Sequence, residues 1–227
     1  MTPERLARVD QVLARRQPDL TVLAENLDKP RNFSAIIRSC DAVGIWRVNL
    51  VPGEARPRRH WHTSSGSEKW VERRDFDSIE AAVDRLRSEG FSILAAHLSP
   101  AARDFRSMDY TRPTALMFGT ELFGVSDRAL QLADAQIHIP MEGMTQSLNV
   151  SVACALVLYE AQRQREAAGM YDDPRLAEEV RVRLRFEWLH PKVAAFCRGR
   201  GLAYPPLRED GEISGPLPGD SELTSPP

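Results

Sequence analysis

The sequence predicts an α/β fold in which a mostly parallel sheet has helices on both faces. Short apolar segments alternate with segments of helical periodicity along most of the chain, and Gly- or Pro-containing segments separate them. Strands that alternate with helices pair in parallel, because each helix returns the chain to the same edge of the sheet. The length of 227 residues and the 42% of hydrophobic residues fit one main domain with terminal extensions.

The first predicted helix spans residues 2–16. Thr2 is a favourable N-cap, Pro3 fits the first helical position, and Leu6, Val9 and Leu13 form an apolar stripe. The same patterns predict the remaining elements in chain order: strand 20–23, helix 32–43, strand 45–51, helix 77–89, strands 91–96 and 114–118, helix 126–133, strand 136–139 and helix 147–164.

These elements predict four regions along the chain. Residues 1–19 are a helical extension, 20–170 the α/β domain, and 171–207 a second helical extension that includes a charged helix at 176–187. Residues 208–227 have too few apolar side chains to form a core, so we expect a disordered acidic tail. Residues 52–66, rich in Pro, Gly, Ser and Arg, are predicted to form a long functional loop.

The charge distribution bears on the kind of partner. The formal net charge is −2, but the dispensable tail 209–227 holds five carboxylates without Lys or Arg, so the rest of the chain carries +3. Basic clusters that suit either solvated helix faces or phosphate contacts lie near the ends of the chain and in the long loop. Their members are Arg5, Arg8, Arg15 and Arg16; Arg56, Arg58 and Arg59; and Arg181, Arg183, Arg185, Lys192, Arg198 and Arg200.

Cysteine usage and hydropathy predict a cytoplasmic protein that does not enter membranes. The N-terminus opens with charged residues, and no apolar run approaches the roughly 20 residues needed to span a bilayer. The three cysteines Cys40, Cys154 and Cys197 are widely spaced and predict free thiols.

The first candidate site segment is KPRNFSAIIRSCDAVG, residues 29–44. Asn32 can act as the cap of the following helix, and Arg38 lies one turn before Asp41, which allows an exposed ion pair. The alternative is an Arg38 that presents its planar guanidinium to a phosphate. The periodicity of the segment leaves both interpretations open.

The second segment, LMFGTELFGVS at residues 116–126, carries an apolar strand directly into a polar turn. Gly119 indicates a close approach of the backbone to another group. Glu121 is either a partner of the helix that begins near Ser126 or a functional carboxylate. Val125 stands where a phosphate-binding loop of a nucleoside triphosphatase requires lysine, so that class is excluded.

The third segment, IHIPMEGMTQSLNVSVACAL at residues 137–156, joins a strand to a helix that is apolar almost all round. Such a helix must be buried on more than one face, which predicts a homodimer. Met141 and Met144 fit either the core or the wall of an apolar ligand pocket. The five histidines have no metal-binding spacing, so we expect no metal.

In this order, the three segments resemble the motifs of the SPOUT methyltransferase superfamily, in its SpoU branch of ribose 2′-O-methyltransferases. Within that branch, ARRQPDLTV at residues 14–22 and YEAQRQR at 159–165 are similar to the tRNA (guanosine-18-2′-O)-methyltransferases. The resemblance covers residues 3–213. It implies a SPOUT-type fold with a deep C-terminal trefoil knot, a homodimer, tRNA as the partner and S-adenosyl-L-methionine as the cofactor.

The resemblance also implies the site residues. Cofactor-binding positions, mainly through backbone groups, are Ala96, Gly119, Ile139, Met141 and Leu148, and catalytic positions are Arg38, Asn32, Glu121, Ser147 and Asn149. Ala96 replaces a threonine of many relatives, and Asp28 and Arg31 replace residues that are often histidine. Two alternatives are a ribosomal RNA methyltransferase of the same branch and a non-catalytic RNA-binding protein.

Overall fold

Seven parallel strands form the sheet in the computed structural model, which describes residues 1–27, 29–53, 69–121 and 123–215. The strand order is β3-β2-β1-β6-β4-β7-β5. The strands are β1 (Leu20–Glu25), β2 (Arg47–Val51), β3 (Glu72–Asp75), β4 (Ser92–Ala96), β5 (Arg103–Asp104), β6 (Thr114–Phe118) and β7 (Ala135–His138). The helices are α1 (Pro3–Ala14), α2 (Pro30–Ala42), α3 (Ile79–Ser88), α4 (Asp127–Leu132), α5 (Val150–Ala167), α6 (Glu178–Leu189) and α7 (Pro191–Arg200).

Helices cover both faces of the sheet, which confirms the predicted fold class. On one face, α2 and α5 pack their buried residues against strand residues such as Val22, Leu116 and Ile137. On the other, α3 and α4 pack against residues such as Leu23 and Met117. Strands β1 and β6 are buried over their whole length because both faces are covered, as is usual in parallel sheets. The predicted trefoil knot stays a prediction.

The order of the strands determines where a ligand can bind. From β1 the chain passes outward through β2 and β3, whereas β6, β4, β7 and β5 lie on the other side of β1. A crevice opens at the carboxyl ends of parallel strands where the strand order reverses. A ligand-binding site is therefore expected at the carboxyl ends of β1, β4, β6 and β7.

The sequence patterns did not predict two short strands. β3 (Glu72–Asp75) has the sequence ERRD and β5 (Arg103–Asp104) has two residues, so neither has an apolar alternation to detect. Both are strands at the edge of the sheet, where side chains reach solvent and polar residues are favoured. Most of the long loop predicted at residues 52–66, including Arg56, Arg58 and Arg59, lies outside the described residues.

The chain divides into two units, Gln17–Asp172 and a second unit of Met1–Arg16 with the residues after Asp172. In the second unit α1 packs on α6, Arg5 donates to the Trp188 carbonyl at 3.0 Å, and Arg185 pairs with Asp10 at 2.6 Å. Arg16 is fully buried with its guanidinium over the Trp188 ring. It is therefore not available for the phosphate contact that its sequence cluster suggested.

Residues 208–215 of the predicted disordered tail are among the described residues, and the disorder of the tail stays a prediction. Leu207 and Ile213 form an antiparallel bridge, and the Arg208 carbonyl accepts a hydrogen bond from the Gly211 amide. Residues 216–227 lie outside the described part of the chain. No helix among the described residues is long and apolar enough to cross a membrane.

One buried arginine, Arg165, connects several segments of the unit Gln17–Asp172. Arg165, near the end of α5, is 0% exposed and uses all five of its N–H groups. It donates to the carbonyls of Tyr110, Asp19 and Arg112 at 2.8, 3.0 and 3.1 Å, and to the side chains of Gln17 and Asp19 at 3.0 and 2.6 Å. The guanidinium therefore joins the end of α5 to the segments that lead into β1 and β6.

We predict that Arg165→Met lowers the free energy of unfolding by about 3–5 kcal/mol, because it removes the buried cation that pairs with the Asp19 carboxylate and the donors to the Gln17 side chain and the Tyr110 carbonyl. Arg163→Met is the matched control, since Arg163 lies on the same helix in an exposed pair with Glu160. Its effect should stay within about 0.5 kcal/mol. Urea unfolding followed by circular dichroism measures both, and equal effects of the two variants would contradict this role of Arg165.

Candidate active site

A cavity of about 300 Å³ opens at the carboxyl ends of β4, β6 and β7. The strand ends contribute Ala96, Phe118 and Ile137, and the first turns of α5 close one side with Val150 and Ala153. Loop residues complete the wall between these elements. They are His97, Leu98, Gly119, Thr120, Glu121, Phe123, Gly124, Ile139, Met141, Gln146, Ser147 and Leu148.

All five residues expected to bind the cofactor line this one cavity. They come from three separate segments, after β4, after β6 and after β7, which the parallel sheet brings to the same edge. Met141 is part of the wall, whereas Met144 is fully exposed and packs neither in the core nor in the cavity. Ser147 also lines the cavity and is exposed.

The loop after β6 is closed on itself. Thr120 and Gly124 exchange two backbone hydrogen bonds of 2.8 and 3.0 Å, and the Thr120 hydroxyl accepts from the Phe123 amide at 2.9 Å. A Cβ atom at Gly119 would lie 1.9 Å from the Gly124 carbonyl oxygen, so only glycine fits there. The sequence predicted that the backbone at Gly119 lies close to another group, and that group is the backbone of Gly124.

Glu25 holds the end of the same loop. This carboxylate, 4% exposed at the end of β1, accepts from the Ser126 amide at 2.9 Å and from the Ser126 hydroxyl at 2.7 Å. Ser126 is in turn the N-cap of α4. The interpretation of Glu121 as the partner of this helix is therefore wrong, because Glu25 takes that place. A charged residue at the end of an apolar strand was the signal for Glu25.

Glu121 belongs instead to a polar cluster of four residues: Lys29, Asn32, Glu121 and Asn149. The Lys29 ammonium and the Asn149 amide both donate to the Glu121 carboxylate. The Asn149 amide also lies 3.4 Å from the Asn32 Oδ1 atom. Three predicted catalytic residues from three distant segments thus meet beside the cavity, to whose wall Glu121 itself contributes. Lys29 is the member that sequence reasoning did not select.

The cluster keeps Glu121 ionised. Its hydrogen bond with Lys29, followed by the hydrogen bond from Asn32, lowers the pKa of the Glu121 carboxyl below its ordinary value. An ionised Glu121 can accept hydrogen bonds and orient its neighbours.

Two capping roles differ from the sequence interpretation. Lys29 is the residue that precedes α2, so Asn32 lies in the first helical turn and is free to join the cluster. Asn149 is the N-cap of α5, where its Oδ1 accepts from the amide and hydroxyl of Ser151 at 2.9 and 2.6 Å. The helix therefore starts three residues after Ser147, where it was predicted to begin.

Arg38 lies apart from the cluster on the exposed side of α2. No hydrogen bond or ion pair joins its guanidinium to another described residue, and the expected pair with Asp41 does not form. The sequence allowed either an ion pair with Asp41 or a phosphate-binding role for Arg38, and the ion pair is wrong. The guanidinium of Arg38, on the helix that also carries Asn32 of the cluster, remains available for an anionic ligand.

A parallel α/β sheet with a cavity at the carboxyl ends of its strands, bordered by a polar cluster, is typical of small-molecule-binding proteins of the α/β class. The chain belongs to the SpoU rRNA methylase family, whose sequence pattern matches residues 19–159. The C-terminal pattern of the SpoU rRNA methylases matches residues 163–216.

Individual proteins are similar over most of the chain. The tRNA (guanosine(18)-2′-O)-methyltransferase of Escherichia coli K12 is 50% identical over 215 residues, which cover 94% of each chain. The crystal structure of the TrmH/SpoU tRNA-modifying enzyme of Aquifex aeolicus superposes with a TM-score of 0.75 at 45% identity, covering 82% of this chain and 94% of that one.

A more distant structure contains a ligand. The SpoU methyltransferase AviRb of Streptomyces viridochromogenes, crystallised in complex with the cofactor AdoMet, has a TM-score of 0.59 at 27% identity. The alignment covers 68% of this chain and 59% of AviRb. These similarities confirm the resemblance on which the site residues were selected.

We predict that Gly119→Ala lowers the free energy of unfolding by about 1–3 kcal/mol, because the added methyl group forces the 119–124 loop away from its closed form. Gly143→Ala is the matched control, since a Cβ atom there has no neighbour within 4 Å. Thermal and urea unfolding measure both. If Gly119→Ala were as stable as the control, the loop would accommodate the methyl group without loss of stability, which would contradict this prediction.

Proposed function

We propose that this protein transfers a methyl group from S-adenosyl-L-methionine to the ribose 2′-hydroxyl of guanosine 18 in tRNA. The observation that carries the proposal is the cavity lined by Ala96, Gly119, Ile139, Met141 and Leu148 directly beside the cluster of Asn32, Glu121 and Asn149. The 50% identity to an enzyme named for this reaction supports the choice of substrate.

The cavity fits the cofactor in size and chemistry. A volume of about 300 Å³ lies at the lower end of the range for small-molecule pockets. Its wall combines apolar side chains with backbone groups at three strand ends, and Gly119 leaves one side without a side chain. When bound, S-adenosyl-L-methionine supplies an electrophilic methyl group on a sulfonium. We assign its binding to Ala96, Gly119, Ile139, Met141 and Leu148.

The protein's own residues must align the ribose hydroxyl and allow its proton to leave. Arg38 cannot be the proton acceptor, since a guanidinium remains protonated in proteins. Its free position suits a grip on the phosphate and ribose of the target nucleotide. In this proposal a phosphate oxygen of the substrate accepts the hydroxyl proton, the ribose oxygen forms its bond to the methyl carbon, and the bond from that carbon to sulfur breaks, so that the neutral thioether leaves.

The remaining catalytic residues have positioning roles in the proposal. Asn32 and Glu121 orient the target nucleotide towards Arg38, with Lys29 holding Glu121 ionised. Asn149 connects this cluster to the first turn of α5, and Ser147 lines the cavity two residues earlier. None of these proposed steps uses a metal ion.

The test is methylation by the purified protein of an unmodified tRNA transcript with radiolabelled S-adenosyl-L-methionine, followed by mapping of the methylated ribose. We expect label at guanosine 18 and none in a transcript with adenosine at that position. Ribosomal RNA assayed in parallel covers the alternative substrate. Label in ribosomal RNA alone would overturn the choice of substrate, and tight cofactor binding without transfer to either RNA would overturn the reaction.

We predict that Arg38→Ala reduces the single-turnover methylation rate by about a hundredfold or more, the scale for loss of a positioning or proton-transfer group. Cofactor affinity, measured by calorimetry, should stay close to that of the parent because the cavity does not include Arg38. Arg38→Lys tests the shape of the contact. Little rescue indicates a two-pronged grip by the planar guanidinium, and strong rescue a simple charge.

Near-normal methylation by Arg38→Ala would contradict the role of Arg38 and leave it as a solvated residue on α2. Loss of cofactor binding together with the rate would instead place Arg38 in the cofactor site.

We further propose a homodimer in which α5 lies at the interface. Val152, Leu156 and Tyr159 are spaced four and three residues apart and are 47%, 43% and 55% exposed. They form an apolar stripe opposite the buried residues Cys154 and Leu158. A contiguous apolar surface of this kind marks a protein interaction site in soluble proteins. The stripe is the surface that the apolar helix pattern led us to expect.

We predict that Leu156→Glu shifts the protein from dimer to monomer at micromolar concentration, because it places a charge in the centre of the apolar stripe. Light scattering coupled to size exclusion measures the mass. Val182→Glu is a control at an exposed apolar residue of α6 and should leave the mass unchanged. A parent protein that is already monomeric would contradict the dimer.

We assign further tRNA phosphate contacts to exposed basic residues of the helical unit. Arg8, Lys192 and Arg200 lie on exposed surfaces of α1 and α7. Basic residues of the clusters also make contacts within the fold: Arg185 pairs with Asp10, Arg8 donates to Gln11, and Arg200 lies over the Phe196 ring. A tRNA substrate also supports a cytoplasmic location, as does the burial of all three cysteines as free thiols.

A further inference from the structure

We propose that Arg31 is a second phosphate-binding residue, which acts together with Arg38 to hold two backbone phosphates of the RNA strand that carries the target ribose. The inference rests on the proposed function and extends it from the reacting nucleotide to its neighbour. It assigns a positioning role to a residue outside the selected catalytic and cofactor-binding sets.

The first observation concerns how arginines are paired. In the described part of the chain, most guanidinium groups have a hydrogen bond, an ion pair or an aromatic ring as a partner. Examples are Arg47 with Glu72, Arg87 with Asp134 and Arg128 with Glu80. Three have no such contact with another described residue: Arg31, Arg38 and Arg103. Two of these three lie on α2.

The second observation is the geometry of α2. Arg31 and Arg38 are seven residues apart, which is nearly two helical turns, so both project from the same side of the helix about 10.5 Å apart along its axis. Both are exposed, whereas Phe33, Ile36 and Ile37 face the core. Two free guanidinium groups therefore point outward from one helix face.

The third observation is the position of this face relative to the candidate active site. Asn32, the residue after Arg31, belongs to the polar cluster, and Lys29 of the same cluster precedes the helix. The charge of Lys29 is balanced by Glu121, so it adds little to the attraction of an anion. Arg31 and Arg38 thus supply positive charge without a partner on the helix that carries Asn32 of the polar cluster.

The chemistry of this pair fits a nucleic-acid backbone. A guanidinium presents a planar pair of donors that matches the oxygens of a phosphate. Long side chains at two points along a helix can contact phosphates of neighbouring nucleotides in one strand. Contacts of this kind position the strand and do not read its sequence. Arg31 should therefore affect the affinity for RNA more than the chemical step.

The experiment compares Arg31→Ala with Arg103→Ala in the full-length protein. Arg103 is the matched control, because it is also exposed and without a partner among the described residues but lies on the edge strand β5. Binding of an unmodified tRNA transcript is measured by filter binding over a series of KCl concentrations. Methylation rates are measured with the same transcript at limiting and at saturating concentrations.

For Arg31→Ala we expect tRNA binding about tenfold weaker and a log–log salt slope smaller by about 0.7–0.9, the value for one lost phosphate contact. The value of kcat/KM should fall far more than kcat. Arg31→Lys should retain most of the salt slope because the charge remains, and Arg103→Ala should match the parent in slope and affinity.

An unchanged salt slope in Arg31→Ala would overturn the inference, as would an equal change in Arg103→Ala, which would indicate a general effect of charge. A loss in kcat alone would also overturn it. A parent protein that binds tRNA but leaves guanosine 18 unmethylated would overturn the proposed function, while the slope comparison would still decide the role of Arg31.

Discussion

The buried guanidinium of Arg165 is the interaction on which the arrangement of the sheet unit depends. It joins the end of α5 to the residues that lead into β1 and β6, which are the two central neighbours in the sheet. Every one of its donors is satisfied, so the cost of burying the charge is offset by hydrogen bonds and by the Asp19 carboxylate. Gln164 adds hydrogen bonds to Met108 and Tyr110 in the same region.

This anchor lies at one end of α5 and the candidate active site lies at the other. With its last turns fixed, α5 presents Val150 and Ala153 to the cavity and Asn149 to the polar cluster. The buried pair of Glu25 and Ser126 fixes the loop on the facing side. The site is thus assembled from loops, but both of its sides are held by buried charged groups.

The charged residues Glu121 and Arg38 differ in whether their charge is balanced by neighbours. Glu121 is surrounded by donors that favour its ionised form, so it serves as a fixed acceptor within the cluster. Arg38 has no such partners, and its charge remains available for a ligand. The polar residues of the cluster therefore satisfy one another, whereas two arginines of α2, Arg31 and Arg38, have no partner among the described residues.

Sequence alone determined the α/β class, the position of most elements and the three polar segments. The core strands and helices have strong apolar periodicity, and their neighbours in sequence set their ends, as with Thr2 before α1 and Gly90 after α3. The edge strands β3 and β5 lacked this signal because their side chains face solvent. Local patterns of apolar residues indicate which side chains are buried, and the side chains of these two strands are not fully buried.

Only the tertiary structure decided which partner each polar residue takes. Asn32, Glu121 and Asn149 are separated by as many as 117 residues, and Glu25 and Ser126 by 101. Helix capping and one-turn ion pairs are the local contacts that a sequence suggests for such residues, and for Asn32, Arg38 and Glu121 those suggestions were wrong. Long-range hydrogen bonds form where parallel strands end at a common edge, and that edge exists only once the sheet has assembled.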